Sequence, residues 1–416
     1  MKKVIEVDEL PLEVKGGERF SIKSNNVTVF THGIHKYPAK FIPHIPRWAI
    51  KKFTKSKNDA VLDPFMGCGT TLVESLLLGR NSFGLEISTL AKKITKVKIT
   101  PLNTNKLKKE HEKLIAKIKK DKYDPSYWKP NLENLNKWFK QKAIEKLSII
   151  KKNIDEIEDK DIRDFYLIIM SSIIRRVSNA ENQSQKVYIS SRFPKPYVDP
   201  IETFIKVANK EKENMILFSK RILKNKNFAK IIGNEARDID LDDNTVDLAI
   251  TSPPYINAIN YINVHKLEYA WLNLEPQEKT LETNIRQIGT DKIPASEWKN
   301  FIETGFEKLD SLSFKIWKIS KKHSYILSSF YLDIKKNLEE VYRVLKDGKR
   351  YVIVIGNNKI KGYLIQNNEL IKEIARDVGF EVELDFSYII KNRLLRIPRN
   401  GRGGDINIDL IIVLKK

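Results

Sequence analysis

Cysteine and long hydrophobic runs are scarce in this chain of 416 residues. Its one cysteine, Cys68, excludes an internal disulfide and a zinc site built from several cysteines. No apolar run approaches the ~18 residues that a membrane helix needs. The amino terminus carries Glu6, Asp8 and Glu9 where a secretory signal would need an apolar stretch. With six scattered histidines, the composition predicts a cytoplasmic protein that holds no metal and spans no membrane.

Acidic residues are outnumbered by basic ones. The chain has 75 Lys and Arg against 53 Asp and Glu, which gives a formal net charge of +22 at pH 7. Such an excess favours a polyanionic partner such as nucleic acid. The alternative is an AT-rich genome, whose codons favour Lys, Ile and Asn whatever the function. Hydrophobic residues make up 41% of the chain, enough for a sizeable core.

Glycine is missing from residues 101–230, although the whole chain has 17. This segment carries 30 Lys and Arg and 17 Asp and Glu, a net charge of +13 and more than half of the total excess. Apolar residues recur there at helical spacing, as at Leu114, Ile115 and Ile118. The pattern predicts a basic, mostly helical insertion at 101–230 between two parts of one domain, residues 1–100 and 231–416.

The segments on both sides of the insertion predict alternating strands and helices. A strand at residues 60–62 precedes a helix from about Thr70 to Leu78, and a second strand follows at 82–85. Further strands are predicted at 231–232, 246–250, 351–355, 382–390 and 406–414, with one helix ending near 345 and another at 369–377. This alternation indicates an α/β fold with a doubly wound sheet, to which the last two strands add an antiparallel edge.

The strongest local motif is Asp-Pro-Phe-Met-Gly-Cys-Gly-Thr-Thr at residues 63–71. It joins a predicted strand to a predicted helix through a turn with two glycines. Glycines let the backbone approach a ligand closely, and a helix start offers free N–H groups to an anion. Glu86 follows at the end of the next strand, where an acid can bind ribose hydroxyls. The order of these features predicts a nucleoside-binding α/β domain.

A second motif, Thr-Ser-Pro-Pro-Tyr at residues 251–255, directly follows the predicted strand at 246–250. Ligand sites of open α/β sheets lie at the carboxyl ends of strands. Two prolines stiffen the loop and remove two N–H donors while leaving carbonyl acceptors. The loop therefore offers acceptors, a hydroxyl and an aromatic ring, which are the groups that bind the exocyclic amine of a base. The alternative is an ordinary turn that ends a strand.

Together these motifs resemble those of the S-adenosylmethionine-dependent DNA amino-methyltransferases, which methylate cytosine N4 or adenine N6. Residues 63–70 resemble the cofactor motif of this family, and residues 252–255 resemble its catalytic motif in the form typical of cytosine-N4 enzymes. Residues 32–41 resemble the N-terminal motif that closes over the methionine end of the cofactor. The resemblance covers roughly residues 30–100 and 230–416. It implies a Rossmann-like methyltransferase sheet.

The resemblance also implies roles for single residues in binding S-adenosylmethionine. Asp63 is expected at the methionine amino group, directly or through water, and Glu86 at the ribose hydroxyls. Glu235 is expected at the adenine amine, although the family usually has Gly-Asp where this chain has Asn-Glu, so Asn234 or Asp238 could replace it. The residues implied in cofactor binding are Tyr37, Lys40, Asp63, Phe65, Gly67, Gly69, Thr70, Thr71, Glu86, Glu235 and Asp238.

The catalytic residues implied by the resemblance are Ser252, Pro253, Pro254 and Tyr255. The Ser252 hydroxyl and the Pro253 carbonyl would accept the amine hydrogens, and Tyr255 would stack on a base flipped out of the duplex. Adenine enzymes usually have Asp or Asn in place of Ser252, so cytosine N4 is the expected target. Adenine N6 remains the main alternative. An RNA guanine-N2 methyltransferase and a catalytically silent DNA-binding module are further alternatives.

Double-stranded DNA is the expected partner, in a restriction-modification system of a prokaryotic cell with a cognate endonuclease as a candidate second partner. We expect the insertion to form a separate lobe that recognises the target site. An acid-free, arginine-rich stretch near the carboxyl terminus is a second candidate for phosphate contact. The residues expected to contact DNA are Arg175, Arg176, Lys186, Arg192, Arg393, Arg396 and Arg399.

Overall fold

The computed structural model describes residues 3–23, 27–38, 40, 42–182, 187–256, 261–274, 287–390 and 408–416. Within these residues, most strands belong to one large sheet. The strands are β1 (Val4–Val7), β2 (Arg19–Ile22), β3 (Ala60–Asp63), β4 (Asn81–Leu85), β5 (Ala229–Gly233), β6 (Val246–Thr251), β7 (Leu345–Ile355), β8 (Asn358–Ile360), β9 (Tyr363–Ile365), β10 (Glu381–Ile389) and β11 (Ile408–Lys415). The large sheet has the order β1-β2-β10-β11-β7-β6-β3-β4-β5, and β8 pairs with β9 in a separate hairpin.

Strands β5, β4, β3, β6 and β7 run parallel, whereas β11 runs antiparallel to both β7 and β10. The predicted doubly wound sheet with an antiparallel carboxyl-terminal pair is therefore confirmed. Two short N-terminal strands, which the sequence did not predict, continue the sheet beyond β10. Each has only four residues, too few for a clear alternation of apolar and polar side chains.

Helices cover both faces of the sheet. They are α1 (His44–Phe53), α2 (Thr70–Leu77), α3 (Thr89–Ile99), α4 (Thr104–Lys120), α5 (Leu135–Trp138), α6 (Gln141–Asp155), α7 (Lys160–Val177), α8 (Pro200–Ile222), α9 (Tyr261–Val264), α10 (Lys266–Trp271), α11 (Glu307–Trp317), α12 (Lys321–Val344) and α13 (Asn367–Val378). Successive strand residues point to opposite faces. Val61 thus packs with α1, and Leu62 packs with α11, α12 and α13.

The insertion is helical, as predicted, and consists mainly of α4, α6, α7 and α8. Polar side chains cap its long helices, since Asn103, Asp159 and Asp199 each accept backbone N–H groups at a helix start. Pro200 occupies the first turn of α8, where its missing N–H costs nothing. Among the described helices of the whole chain, none is long and apolar enough to cross a membrane.

The insertion does not have a core of its own. Its buried residues, such as Ile150, Ile169 and Phe204, belong to one hydrophobic cluster with Leu72 of α2 and Ile94 of α3. A separate lobe was predicted because residues 101–230 are far more than the few residues that a helix-to-strand connection needs. The insertion is instead an extension of the helical layer that covers the sheet beside β3 and β4.

Candidate active site

The carboxyl ends of β3 and β6 lie side by side where the chain leads away in opposite directions, from β3 towards β4 and from β6 towards β7. Ligands of open α/β sheets bind at such a switch point. A cavity of about 1020 Å³, counting the space that opens to solvent, is located there. Six segments line it: residues 37, 38 and 40; 64–68 and 70; 85–87; 234–236; 252, 254 and 255; and 287–290.

The glycine turn after β3 forms one wall of the cavity. Gly67 and Gly69 have φ angles of 51° and 77°, which glycine adopts without strain. The Gly69 N–H donates to the Met66 carbonyl at 2.8 Å, and the Met66 N–H donates to the Leu85 carbonyl at 3.0 Å. A Cβ atom at Gly69 would lie 2.6 Å from the Thr95 side chain. The turn is therefore fixed by its own backbone and by α3.

Asp63 ends β3 beneath this turn. Its carboxylate accepts hydrogen bonds from the hydroxyls of Thr71 at 2.6 Å and Thr251 at 2.7 Å, and from the Phe65 N–H at 3.2 Å. Burial raises the pKa of Asp63 to about 6, although these donors oppose the shift. Asp63 and Thr71 are not among the described residues that line the cavity. Asp63 thus joins the ends of β3 and β6, and the contact expected with the methionine amino group stays a prediction.

Glu86 lines the cavity directly after β4. The Ser88 N–H donates to its carboxylate at 2.8 Å, and the Gly67 N–H also donates to it. Burial raises the pKa of Glu86 to about 7, and the two backbone donors partly oppose that shift. A carboxylate in the wall, beside the glycine turn, can accept hydrogen bonds from a diol. Its predicted contact with ribose hydroxyls stays a prediction.

The segment after β5 supplies Asn234 and Glu235 to the cavity wall. Both oxygens of Glu235 accept hydrogen bonds from the Arg237 guanidinium, at 2.8 and 2.6 Å. The Asn234 side-chain carbonyl accepts a hydrogen bond from Lys92 at 2.7 Å. Asp238 is not among the described lining residues. Of the three candidates for the adenine amine, the structure thus brings Asn234 and Glu235 to the cavity.

The loop after β6 forms the wall that faces the glycine turn. Ser252, Pro254 and Tyr255 line the cavity, whereas Pro253 is buried behind them. The Tyr255 hydroxyl donates a hydrogen bond to Asp409 of β11 at 3.2 Å. One cavity therefore contains side chains of both motifs that the sequence singles out. An acceptor hydroxyl and an aromatic ring thus line the same cavity as the carboxylate of Glu86.

The N-terminal segment contributes Tyr37 and Lys40 to the cavity. The Tyr37 ring stacks on His265, with ring centroids 5.3 Å apart and planes 12° apart. Lys40 donates to the His32 carbonyl at 2.9 Å. His35 bonds to Ser171 of α7 at 3.1 Å, so the insertion holds this segment from behind. Tyr37, Pro38 and Lys40 thus line the same cavity as the glycine turn, and closure of this segment over a cofactor stays a prediction.

Residues 287–290 line the cavity, but the sequence did not indicate them. Gly289 has a φ of 75°, and a Cβ atom there would lie 3.3 Å from the Tyr255 carbonyl oxygen. A single glycine in a polar stretch is a weak signal, since it also marks ordinary turns. This segment packs against the loop after β6, which lies more than thirty residues earlier in the sequence.

The residues expected to contact DNA have different surroundings. Arg176 and Arg192 are exposed, and the Arg192 guanidinium lies 5.4 Å from the centre of the Phe193 ring. Arg175 is half-buried and donates to the Glu181 carbonyl at 2.9 Å, and burial lowers its pKa. The remaining candidates lie outside the described residues: Lys186, Arg393, Arg396 and Arg399.

Metal ligands are not clustered in the part of the chain that the structure describes. No group of three His, Cys, Asp or Glu residues in it could hold a metal ion. Cys68 is buried in the glycine turn, where Lys98 donates to its carbonyl oxygen. The described residues that line the cavity offer carboxylates, hydroxyls, amides, aromatic rings and the amine of Lys40.

A doubly wound sheet with a glycine turn and a carboxylate at a cavity of its switch point is typical of α/β enzymes that bind a nucleoside cofactor. Residues 15–97 match the N6_N4_Mtase family, described as DNA methylase. The chain is 27% identical to the type II methyltransferase M.MvaI of Kocuria varians, over 98% of this chain and 96% of that protein. It is 23% identical to the type II methyltransferase M.BsoBI of Geobacillus stearothermophilus, over 84% and 78% of the two chains.

A third relative is the type II methyltransferase M.MjaII of Methanocaldococcus jannaschii, 24% identical over 65% of this chain and 67% of that one. Among solved structures, a SAM-dependent methyltransferase of Methanosarcina mazei is 10% identical, covers 92% of this chain and 98% of its own, and has a TM-score of 0.34. The matched family and these three relatives are thus described as a DNA methylase and as type II methyltransferases.

Proposed function

We propose that this chain is a site-specific DNA methyltransferase that transfers a methyl group from S-adenosylmethionine to the N4 amine of a flipped-out cytosine in double-stranded DNA. In this proposal it is the modification enzyme of a restriction-modification system and works beside a cognate endonuclease. The observation that carries the proposal is the single cavity that joins Ser252 and Tyr255 to the glycine turn and Glu86.

The residues present fit the cofactor. Its ribose hydroxyls would donate to Glu86, and its adenine would lie towards Asn234 and Glu235 at the end of β5. Its methionine end would lie near Thr70, where the N–H groups of the first turn of α2 favour a carboxylate. Tyr37 and Lys40 would close that end of the cavity. When bound, S-adenosylmethionine supplies an activated methyl group on a sulfonium.

The catalytic loop would act on the other reactant. The lone pair of the cytosine amine is delocalised into its ring, so the nitrogen is a weak nucleophile. Ser252 and the Pro253 carbonyl would accept the amine hydrogens, which draws the nitrogen towards a tetrahedral geometry and raises its lone-pair density. Tyr255 would stack on the base and hold the nitrogen in line for transfer. Positioning of this kind accounts for much of the rate in reactions with an activated donor.

Ser252 decides between the two target amines in this proposal. A neutral hydroxyl at that position is the form typical of the cytosine-N4 enzymes that the motif resembles. Aspartate or asparagine is usual in the adenine enzymes. The target base therefore depends on one residue that lines the cavity.

We further propose that the insertion supplies part of the DNA-binding surface. Its helix α7 adjoins the cavity, because Ser171 bonds to His35 two residues before the cavity-lining Tyr37. Arg176 and Arg192 are exposed on or beyond the carboxyl end of that helix and would contact phosphates. Arg393, Arg396 and Arg399 would add contacts, since β10 ends and β11 begins at the same edge of the sheet as the cavity.

The test is to methylate double-stranded DNA with the purified protein and isotopically labelled S-adenosylmethionine, then to identify the labelled nucleoside by mass spectrometry. The expected product is N4-methylcytosine. Labelled N6-methyladenine alone would transfer the assignment to the adenine enzymes. Label in RNA but not in DNA would overturn the DNA substrate, and binding of DNA without transfer of label would support a silent module.

A further inference from the structure

A buried carboxylate lies behind the catalytic loop. Asp409 of β11 is 6% exposed, and its two oxygens accept hydrogen bonds from different phenols. The Tyr255 hydroxyl donates to one oxygen at 3.2 Å, and the Tyr388 hydroxyl donates to the other at 2.6 Å. Tyr388 is also the residue opposite Asp409 in the pairing of β10 with β11. The three side chains thus connect the cavity wall to the carboxyl-terminal pair of strands.

A carboxylate is costly at this place. Residues 410–414 of β11 are apolar, and Ile411–Leu414 are fully buried. Removing a charge from water is unfavourable unless it is hydrogen-bonded, and burial raises the pKa of Asp409. Fixing the two strands alone does not require a charge, because their backbone pairing already extends from Glu381 to Ile389. One of the two phenols that bind this carboxylate belongs to the cavity-lining Tyr255, which indicates a role beyond strand pairing.

We propose that Asp409 is a positioning residue of the methyl transfer, which acts by fixing the ring of Tyr255 at the cavity wall, with Tyr388 holding the carboxylate in place. This inference rests on the proposed function, in which Tyr255 stacks on the target base. With its hydroxyl bound to Asp409, the Tyr255 ring is held by its phenol end towards β11, and in the proposed function a ring face would meet the base. The bond also makes the ring richer in electrons, so that it better stabilises the positive charge that passes to the base during transfer.

The bond of Tyr255 to Asp409 can be isolated by a double-mutant cycle of Tyr255→Phe and Asp409→Asn in the full-length protein. Asp409→Asn should lower kcat by roughly 10- to 100-fold, as expected for loss of a hydrogen bond to a charged group. The dissociation constant of S-adenosylmethionine should stay within about twofold of the wild-type value, because Asp409 bonds to the wall after β6 and not to the glycine turn or Glu86. The double variant should be no slower than Tyr255→Phe, since the phenol through which Asp409 acts is already gone.

A matched control is Asp247→Asn. Asp247 is also buried in a strand and pairs with Lys346 at 2.8 Å and Lys349 at 3.0 Å, but it lies at the opposite end of β6 from the cavity. Its substitution should lower thermal stability and leave kcat unchanged. A purely structural Asp409 would behave in the same way, with a lower unfolding temperature and an unchanged kcat, and this result would overturn the proposal.

Effects of the two substitutions that multiply in the double variant would also overturn the proposal, since Asp409 would then act independently of Tyr255. If Asp409→Asn does not fold, Tyr388→Phe takes its place in the cycle with the same expectations and a smaller effect. A wild-type protein that transfers no methyl group to DNA contradicts the proposed function itself. A wild-type enzyme whose kcat is insensitive to Asp409→Asn and Tyr388→Phe contradicts the positioning role alone.

Discussion

The wall of the cavity after β3 is formed by one stretch of chain, whereas the wall after β6 joins distant segments. Residues 63–71 bond to one another, as in the contacts of Asp63 with Thr71 and of Gly69 with Met66, and to the elements that follow closely in sequence, β4 and α3. Tyr255 instead bonds to Asp409, 154 residues further along, and packs against Gly289. The first wall is a rigid backbone turn suited to a constant cofactor. The second depends on side chains from several elements, which suits it to a particular base.

This contrast predicts that the two walls fail in different ways. Changes in the wall after β3 should weaken cofactor binding or the fold. Changes in the wall after β6 should slow transfer and leave the cofactor bound. Asp63 belongs to both groups, because it bonds to Thr251 at the end of β6 as well as to Thr71.

The largest effect is expected for Ser252→Ala. Removing an acceptor of the amine hydrogens should lower kcat by about 100- to 1000-fold, because the interaction is made with the reacting nitrogen. The dissociation constant of S-adenosylmethionine, measured by calorimetry, should stay within about twofold. Ser56→Ala, in an exposed turn far from the cavity, is the control and should change neither. If Ser252→Ala also lost affinity for the cofactor, the two walls would not have separate roles in cofactor binding and methyl transfer.

Glu86→Ala should show the opposite pattern. Loss of the carboxylate should lower the affinity for S-adenosylmethionine by about 10- to 100-fold, the range for hydrogen bonds to a charged group. The value of kcat at saturating cofactor should change much less. Glu235→Ala is the comparison, and its effect should be smaller because the Glu235 carboxylate is already bound by Arg237. Equal affinities for wild type and Glu86→Ala would place the ribose elsewhere.

Gly69→Ala tests the rigidity of the glycine turn. The added Cβ would collide with Thr95 and force a positive φ on alanine, so the free energy of unfolding should fall by about 2–4 kcal/mol. Gly348→Ala is the matched control, because Gly348 has a φ of 71° but open space around its Cβ position. It should cost only about 1 kcal/mol, from backbone strain alone. If denaturant unfolding gave the same loss of free energy for both variants, the glycine turn would be able to move and accommodate the added Cβ atom.

The pKa of Glu86 predicts a pH dependence of cofactor binding. Burial raises this pKa to about 7, so the carboxyl is largely protonated below that pH in the empty protein. Ribose hydroxyls donate to the ionised form, so affinity should rise by up to about tenfold per pH unit towards pH 7 and level off above it. Calorimetry between pH 6 and 8 would measure this. Glu86→Gln should flatten the profile, and an unchanged slope in that variant would assign the titration to another group, such as Asp63.

The smallest effect concerns the insertion. Arg176→Glu and Arg192→Glu should each reduce the slope of log DNA affinity against log salt by about one, as expected for one lost phosphate contact. Lys224→Glu and Lys226→Glu are the controls, because these exposed lysines precede β5 at the opposite edge of the sheet from the cavity. Equal changes of slope in both pairs of variants would show that DNA affinity depends on the total charge of the insertion and not on where the charges lie.

The sequence predicts those parts of the site that depend on residues close to one another along the chain. The placement of Glu86, Gly67, Ser252 and Tyr255 around one cavity follows from strand ends and from the rule for open sheets. The position of Asp63 beneath the cavity was not predicted, because its partner Thr251 is 188 residues away. Asp409 and residues 287–290 were missed for the same reason. A partner brought in by tertiary packing leaves no periodic or spaced pattern in the chain.

The insertion shows the same limit at the level of the fold. Its helices were predicted from periodicity, and Ile150 and Ile169 are buried as that periodicity requires. Periodicity identifies the apolar face of a helix but not the element that covers it. The structure places α2 and α3 against that face, which joins the insertion to the sheet.

Methylation of cytosine N4 by this protein can be observed by sequencing DNA from cells that express it, with a method that reads N4-methylcytosine and N6-methyladenine at single bases. Cells that express the wild type should carry N4-methylcytosine at one recurring sequence. Cells that express Ser252→Ala at the same level should carry none. N6-methyladenine as the only modification, or N4-methylcytosine that persists in the Ser252→Ala cells, would contradict the account.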